Sequence, residues 1–592
     1  MGPNDVNDPT PQNLHLSRRK MLTALGSMAC AGLLLGVLPR TASATGLSLM
    51  ESRGGATEQP GPVSISSLTA SGVDDGWANV FDYGVAGDGV TDDTAAFQAA
   101  AATGKAMLVP KPAVSYRLTG SITLTNSIVG VGMPELWMDG ANGSAAKRML
   151  RIEGYAGGGL AVTGLHLNGK YTGGSLDEQS HLVRIANSKN VHVQGNWLDA
   201  PYGDCVYIGS DYAAPSENIH VEGNVLSNPR RCAVAVVSGK AVWIRGNYMS
   251  DPYPYVACID LEPNASATGS DVVEDIWIEG NEFYSEIYWI NSYNPNTSFR
   301  NTRIGIANNR GRSRYFFRCN SAPGDTENVT IRDNEFYGSV SDARMILASK
   351  VVSGLEISGN RDYATGAAGW SISSTLAPVV RDNVIESSRA VAVTFQSCEA
   401  VQFIGNRIRN VGSTDGAVRF AGTTATSRHL IAGNQLLNGT VGYWIGAVVT
   451  NALFDGNSTE CSGKHVQLDA AAAGSDLRIT ANNVFSGSGT VVTNAAALSR
   501  WAAPDVYAKG AFAGWGLAPP TTGVWKRGSV LLNALPAAGA PAGWFCVGEA
   551  TAPGEWEPFG NVGEASLTLR APNGSRYAVS VDNAGVLTTT LL

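Results

Sequence analysis

A short strand ending in Gly-Asn, or a close variant, returns along this chain about every 26 residues, and no other feature limits the fold so tightly. Val191-His192-Val193-Gln194-Gly195-Asn196 is one copy. Ile219–Asn224, Val242–Asn247, Ile276–Asn281, Val329–Asn334, Leu355–Asn360, Val401–Asn406, His429–Asn434 and Ala452–Asn457 are others, and Asn168, Asn309, Asn383 and Asn483 mark weaker ones. Each copy alternates apolar and polar residues, as a half-buried strand does. Gly and Asn both tolerate left-handed backbone angles, so the pair predicts a sharp turn after each strand. Second short strands lie between the marks, among them Cys205–Ile208, Cys258–Leu261, Ile287–Ile290 and Tyr315–Arg318. Two or three short strands in a unit of this length predict an all-β chain wound as a parallel β-helix.

Composition agrees with a coil of turns. Gly is 69 of 592 residues and charged residues are 16%, against usual values of about 7% and about 25%. The chain is too apolar for a disordered one, and its net charge of −8 argues against a nucleic-acid binder. Cys205, Cys232 and Cys258 are spaced at the repeat length and predict a stacked ladder rather than a disulfide framework. No close Cys or His pair suggests a metal site.

The first 44 residues read as an export signal. Ser17-Arg18-Arg19-Lys20 precedes an apolar run from Met21 to Leu38, and Ala42-Ser43-Ala44 offers a cleavage site. The paired arginines resemble a twin-arginine signal, so a periplasmic or secreted bacterial protein without stable membrane insertion is expected. Removing 1–44 takes away four basic and two acidic residues and moves the net charge from −8 to −10. Residues 45–78 read as a flexible linker.

Ahead of the repeats stands Val80-Phe81-Asp82-Tyr83-Gly84-Val85-Ala86-Gly87-Asp88-Gly89-Val90-Thr91-Asp92-Asp93-Thr94-Ala95-Ala96-Phe97-Gln98. It resembles the opening motif of the pectate-lyase-like superfamily, which includes polygalacturonases, rhamnogalacturonases and tailspike depolymerases. Val109-Pro110 and Tyr116-Arg117-Leu118 continue the match. The resemblance implies a right-handed parallel β-helix over 79–500, with a short N-terminal capping helix. It also implies that Asp88, Asp92 and Asp93 are architectural. Thr91 or Asp92 is the expected helix cap, with the helix running over Ala95–Ala102. Residues 501–592, rich in Trp, read as a small C-terminal β segment that caps the other end or binds carbohydrate.

Functional residue types crowd between 197 and 320. In Cys258-Ile259-Asp260-Leu261-Glu262, strand alternation turns Ile259 and Leu261 inward and puts Asp260 and Glu262 together outside, roughly 7 Å apart. A carboxylate pair supplies the acid and base that cleave a glycosidic bond. Asp204 follows Gly203 loosely like the Gly-Asp-Asp-Cys of polygalacturonases and is a third catalytic candidate. The second Asp of that pattern is missing, as are the partner motifs. Tyr202, Tyr207, Arg230, Arg231, Tyr253, Tyr255, Tyr288, Asn291 and Arg318 are candidate substrate contacts. His166, His181, His192 and His220 read as surface strand residues.

These residues lead to the expectation of a secreted polysaccharide-degrading enzyme, with hydrolysis slightly ahead of elimination. The alternatives are a lyase acting on a uronate polymer, in which calcium would be a cofactor, and a non-catalytic polysaccharide-binding or surface protein. Otherwise no cofactor or metal is expected. The oligomeric state is left open, with a trimer among the candidates.

Overall fold

The computed structural model describes residues 76–592 apart from 141–146, 174–177, 211–213, 251–256, 265–270, 286–287, 320–322, 339–342, 365–368, 388–390, 411–415, 481, 488–489, 494–499, 503–512 and several short pieces beyond 521. The export signal and nearly all of the linker therefore lie outside the described residues. The chain divides into two units, 1–259 with 270–272, and 260–269 with 273–592.

The first unit opens with the strand Trp77–Asn79, a 3-10 turn over Val80–Tyr83 and the helix α1, Thr94–Ala102. The three motif carboxylates hold this opening together. Asp88 Oδ1 accepts the amides of Val90 and Thr91, and Asp92 Oδ1 accepts the amide and hydroxyl of Thr94. Asp93, fully buried, accepts the amides of Ala86 and Gly87. The helix starts at Thr94 rather than Ala95, with Asp93 in the cap position but turned back to the loop. Phe97 buries its ring edge-on against Tyr116 on the first coils.

Most of the following coils carry three strands, paired in parallel with the coils on either side, and in Gln435–Ile445 and Ser458–Leu468 the second and third run together. Lys189–Gln194, Trp197–Asp199 and Val206–Gly209 make one coil; Ser216–Glu222, Val225–Ser227 and Val234–Val236 make the next. Inward residues stack in register, as in Val191–Ile219–Val242, Leu198–Leu226–Met249 and Ile208–Val236, all excluded from solvent. The second unit repeats the scheme from Val273–Glu279, Glu282–Tyr284 and Tyr288–Ser292 onward to Arg500–Ala502. Beyond it come a four-stranded sheet within 513–561 and a three-stranded antiparallel sheet within 566–591. In each unit the coils form a parallel β-solenoid.

The Gly-Asn mark has a division of labour that the sequence did not reveal. The first position is left-handed: Gly195, Gly223 and Gly359 have φ of 64°, 63° and 66°, and Asn308, Asp333 and Asp382 take the same conformation in other copies. The Asn that follows turns inward. In the first unit Asn196 donates to Asn224 at 3.1 Å and Asn224 to Asn247 at 3.0 Å. In the second, Asn281, Asn309, Asn334, Asn360, Asn383, Asn406, Asn434, Asn457 and Asn483 form a continuous amide ladder. The other amide proton of a rung bonds a main-chain carbonyl of the preceding coil, as Asn360 does to Ile331 at 2.8 Å. Asn168 is not a rung; it lies half-buried on an outer row and donates to Glu135. The seven described cysteines are all buried thiols.

Candidate functional site

The third strands of the coils form the wall on which the sequence placed its candidates. In the first unit the outward row runs Arg151–Arg184–Tyr207–Ala235. In the second it runs Asn291–Arg318–Leu347–Ser371–Thr394–Arg419–Trp444–Gln467.

Asp204 stands just before its strand and is fully buried. Its Oδ2 is 3.1 Å from His181 Nδ1 and 3.7 Å from Arg231 Nη1, and its Oδ1 accepts the amide of Cys232 at 3.0 Å. Burial pushes its pKa up, but Arg231 and His181 outweigh burial and hold the carboxyl below its ordinary range. His181 is not a surface residue: it is buried with Asp204, and burial holds its pKa below normal. Its ring stacks on Tyr207 with centroids 4.6 Å apart, and the guanidinium of Arg184 lies 5.7 Å over the same tyrosine ring. A side chain on Gly203 would stand 3.0 Å from His181 Nδ1, so glycine there gives the imidazole its seat. Tyr202 is nearly buried and edge-on to Tyr171. Arg230 is half-buried. Tyr253 and Tyr255 lie outside the described residues.

In the second unit Asp260 sits on the strand Ala257–Leu261, every residue of which is buried. Ile259 and Leu261 are excluded from solvent, while Asp260 Oδ1 accepts Asn291 Nδ2 at 2.9 Å. Arg318 Nη1 donates to Asn291 Oδ1 at 3.4 Å, and its guanidinium lies 4.8 Å over the ring of Tyr288. Tyr288 is tilted against Tyr315 at 5.2 Å. Acid, amide and guanidinium thus form one hydrogen-bonded line, and Glu262 is half-buried two residues beyond Asp260.

Two features differ from expectation. Rings on successive coils face each other on the first-strand face as well, as in His192–His220–Trp243 at 4.4 and 4.5 Å, so much of their flat surface is consumed within the stack. Functional side chains also continue past 320: Arg419 lies 3.6 Å over the ring of Trp444, whose Nε1 donates to Asp469 at 2.8 Å. Among the described residues no three His, Cys, Asp or Glu side chains converge as metal ligands, so no step is derived through a cation.

Stacked parallel coils with such a wall define the fold as a parallel β-solenoid. Residues 77–328 match the family model described as rhamnogalacturonase A/epimerase, pectate lyase-like. No curated protein matches. Among solved structures, the chain is similar to the bacteriophage phi29 gene product 12, with 15% identity over 74% of this chain and a TM-score of 0.41; it spans 59% of that chain. It is similar to a tailspike of the E. coli bacteriophage HK620, solved with a pentasaccharide, at 12% identity over 72% of this chain and 78% of that one, TM-score 0.45. It is also similar to the Family 28 exopolygalacturonase of Yersinia enterocolitica, at 14% identity over 69% and 78%, TM-score 0.36.

Proposed function

We propose that this chain is an exported enzyme that degrades a polysaccharide on the third-strand wall, by hydrolysis, with Asp260 and Glu262 as the acid–base pair. The observation that carries the reading is the line Asp260–Asn291–Arg318 beside Tyr288. Asn291 Nδ2 donates to Asp260 Oδ1 and so orients that carboxyl toward the Arg318–Tyr288 end of the line, whereas Arg231 and His181 hold Asp204 ionised. One carboxyl of the pair protonates the glycosidic oxygen and the other takes the proton of the attacking water. Arg318 and Tyr288 hold the sugar by fork and ring. Asp204, bound by His181, Arg231 and the amide of Cys232, acts as a positioning residue that fixes His181 and Arg231. The match of 77–328 to a family named for a rhamnogalacturonase supports a sugar-polymer substrate.

The test is incubation of the exported protein with neutral and acidic polysaccharides. New reducing ends without unsaturated-uronate absorbance are expected. Asp260→Asn and Glu262→Gln should each lower the rate by about 10²–10⁴-fold with the fold intact; full activity in both would sink the assignment. A second reading, elimination from a uronate, is favoured by Arg318, whose guanidinium suits a sugar carboxylate. Unsaturated product would establish it, and binding without any cleavage would establish a non-catalytic protein.

A further inference from the structure

Several arginines on the other faces of the second unit meet carboxylates. Arg303 is 2.5 Å from Asp275, Arg310 is 3.1 Å from Glu282 and Arg381 is 2.8 Å from Glu356. Two arginines on the third-strand wall do not. The side chains of Arg344 and Arg419 form no hydrogen bond or ion pair among the described residues, and the Nε of each is buried without an acceptor. Each is held instead by an aromatic ring, Arg344 at 6.0 Å over Tyr315 and Arg419 at 3.6 Å over Trp444. Trp444 is itself fixed, through its bond to Asp469, which also accepts Gln467 Nε2 at 3.4 Å.

A guanidinium is a planar fork of five N–H donors that matches a paired-oxygen anion. A ring behind it fixes its plane and removes the entropy that a free arginine loses on binding. A buried Nε–H gains where a bound oxyanion supplies its acceptor. Register places Arg344 beside Tyr315, and Arg419 three coils further on, beyond Ser371 and Thr394. Three coil steps are about 14 Å.

We propose that Arg344 and Arg419 are two anchors for the oxyanions of an acidic polymer, lying on the wall beyond the Asp260 line and separated by about three coil steps. This deepens the enzyme reading above by naming its substrate as an anionic chain long enough to reach both anchors. The outward hydroxyls of Ser371 and Thr394 lie on the two intervening coils, in the row of Arg419, while Arg344 stands three residues along the strand from that row.

Binding of polygalacturonate, heparin and neutral dextran to the exported protein tests the proposal, with carboxylate and sulfate separated by the first two. Arg344→Ala and Arg419→Ala are each expected to weaken acidic-polymer binding at least tenfold and leave the melting temperature unchanged. Trp444→Ala should cause the same loss, and Arg419→Lys should not restore it, because lysine keeps the charge but not the fork. Binding within twofold of the unaltered protein in both alanine variants would overturn the proposal. So would an equal loss of dextran binding, or no acidic-polymer binding by the unaltered protein. Asp260→Asn separates the two readings: arginine-dependent binding without cleavage by any form removes the enzyme reading alone, and cleavage with arginine-independent binding removes this one.

Discussion

The buried histidines show how much a single side chain's environment can differ from its sequence context. His181 precedes the strand Val183–Ala186, so strand alternation does not govern it, and its place is set by Asp204 on the next coil. Asp204, Tyr202 and Arg231 were legible as functional types; their buried partner was not, because no pattern in the chain joins 181 to 204. Burial also lowers the pKa of His192 and His465, and brings that of His429 to about 4. A folded-state pKa below the unfolded value of about 6.5 means that the unfolded chain takes up the proton first. The stability these neutral histidines contribute is therefore present above about pH 6.5 and is lost as pH falls toward 4. Melting temperature should fall across that window, and a flat or rising profile would contradict the burial of these rings. Asp204 adds a loss at still lower pH, since its depressed pKa keeps it ionised until below the usual carboxylate range.

At the scale of the coil, the strand and turn positions were readable because the repeat is periodic, but the function of the repeated Asn was not. A turn residue and a ladder rung are both small and polar, and only the fold separates the left-handed Gly359 from the inward Asn360. Asn360 donates to Asn383 and accepts from Asn334, so its loss leaves buried polar groups on both neighbouring coils. Asn360→Ala should cost at least ~2 kcal/mol in denaturant unfolding, whereas a cost below ~0.5 kcal/mol would make the ladder incidental. Charges are arranged by the same logic. Glu282, Arg310, Glu335 and Arg361 occupy one outward row with alternating sign, so stacking brings opposite charges together. Each exposed pair contributes little. The rows that leave arginines over rings instead stand out against this background. The wall row itself was invisible in the sequence because coils differ in length: 27 residues separate Asn291 from Arg318, and 29 separate Arg318 from Leu347.

For the whole molecule, the opening motif and the repeat together were enough to place the fold class, since both depend on local spacing. Export remains a proposal that the N-terminal residues carry alone. Changing Arg18 and Arg19 to lysine should leave the precursor inside the cell with its coils already formed, as fractionation would show; unchanged export would mean another route. The amide ladder has one further consequence. Because a rung bonds only within its own coil and the coils beside it, a complete turn is an exchangeable unit, and the spacing of anything mounted on the wall is quantised. Excising residues 361–383, one rung to the next, would bring Arg419 one step of about 4.8 Å nearer to Arg344 without disturbing which side chains face out. Under the two-anchor proposal the protein is a ruler, and gaining or losing one coil changes the span it offers a bound polymer by a single step.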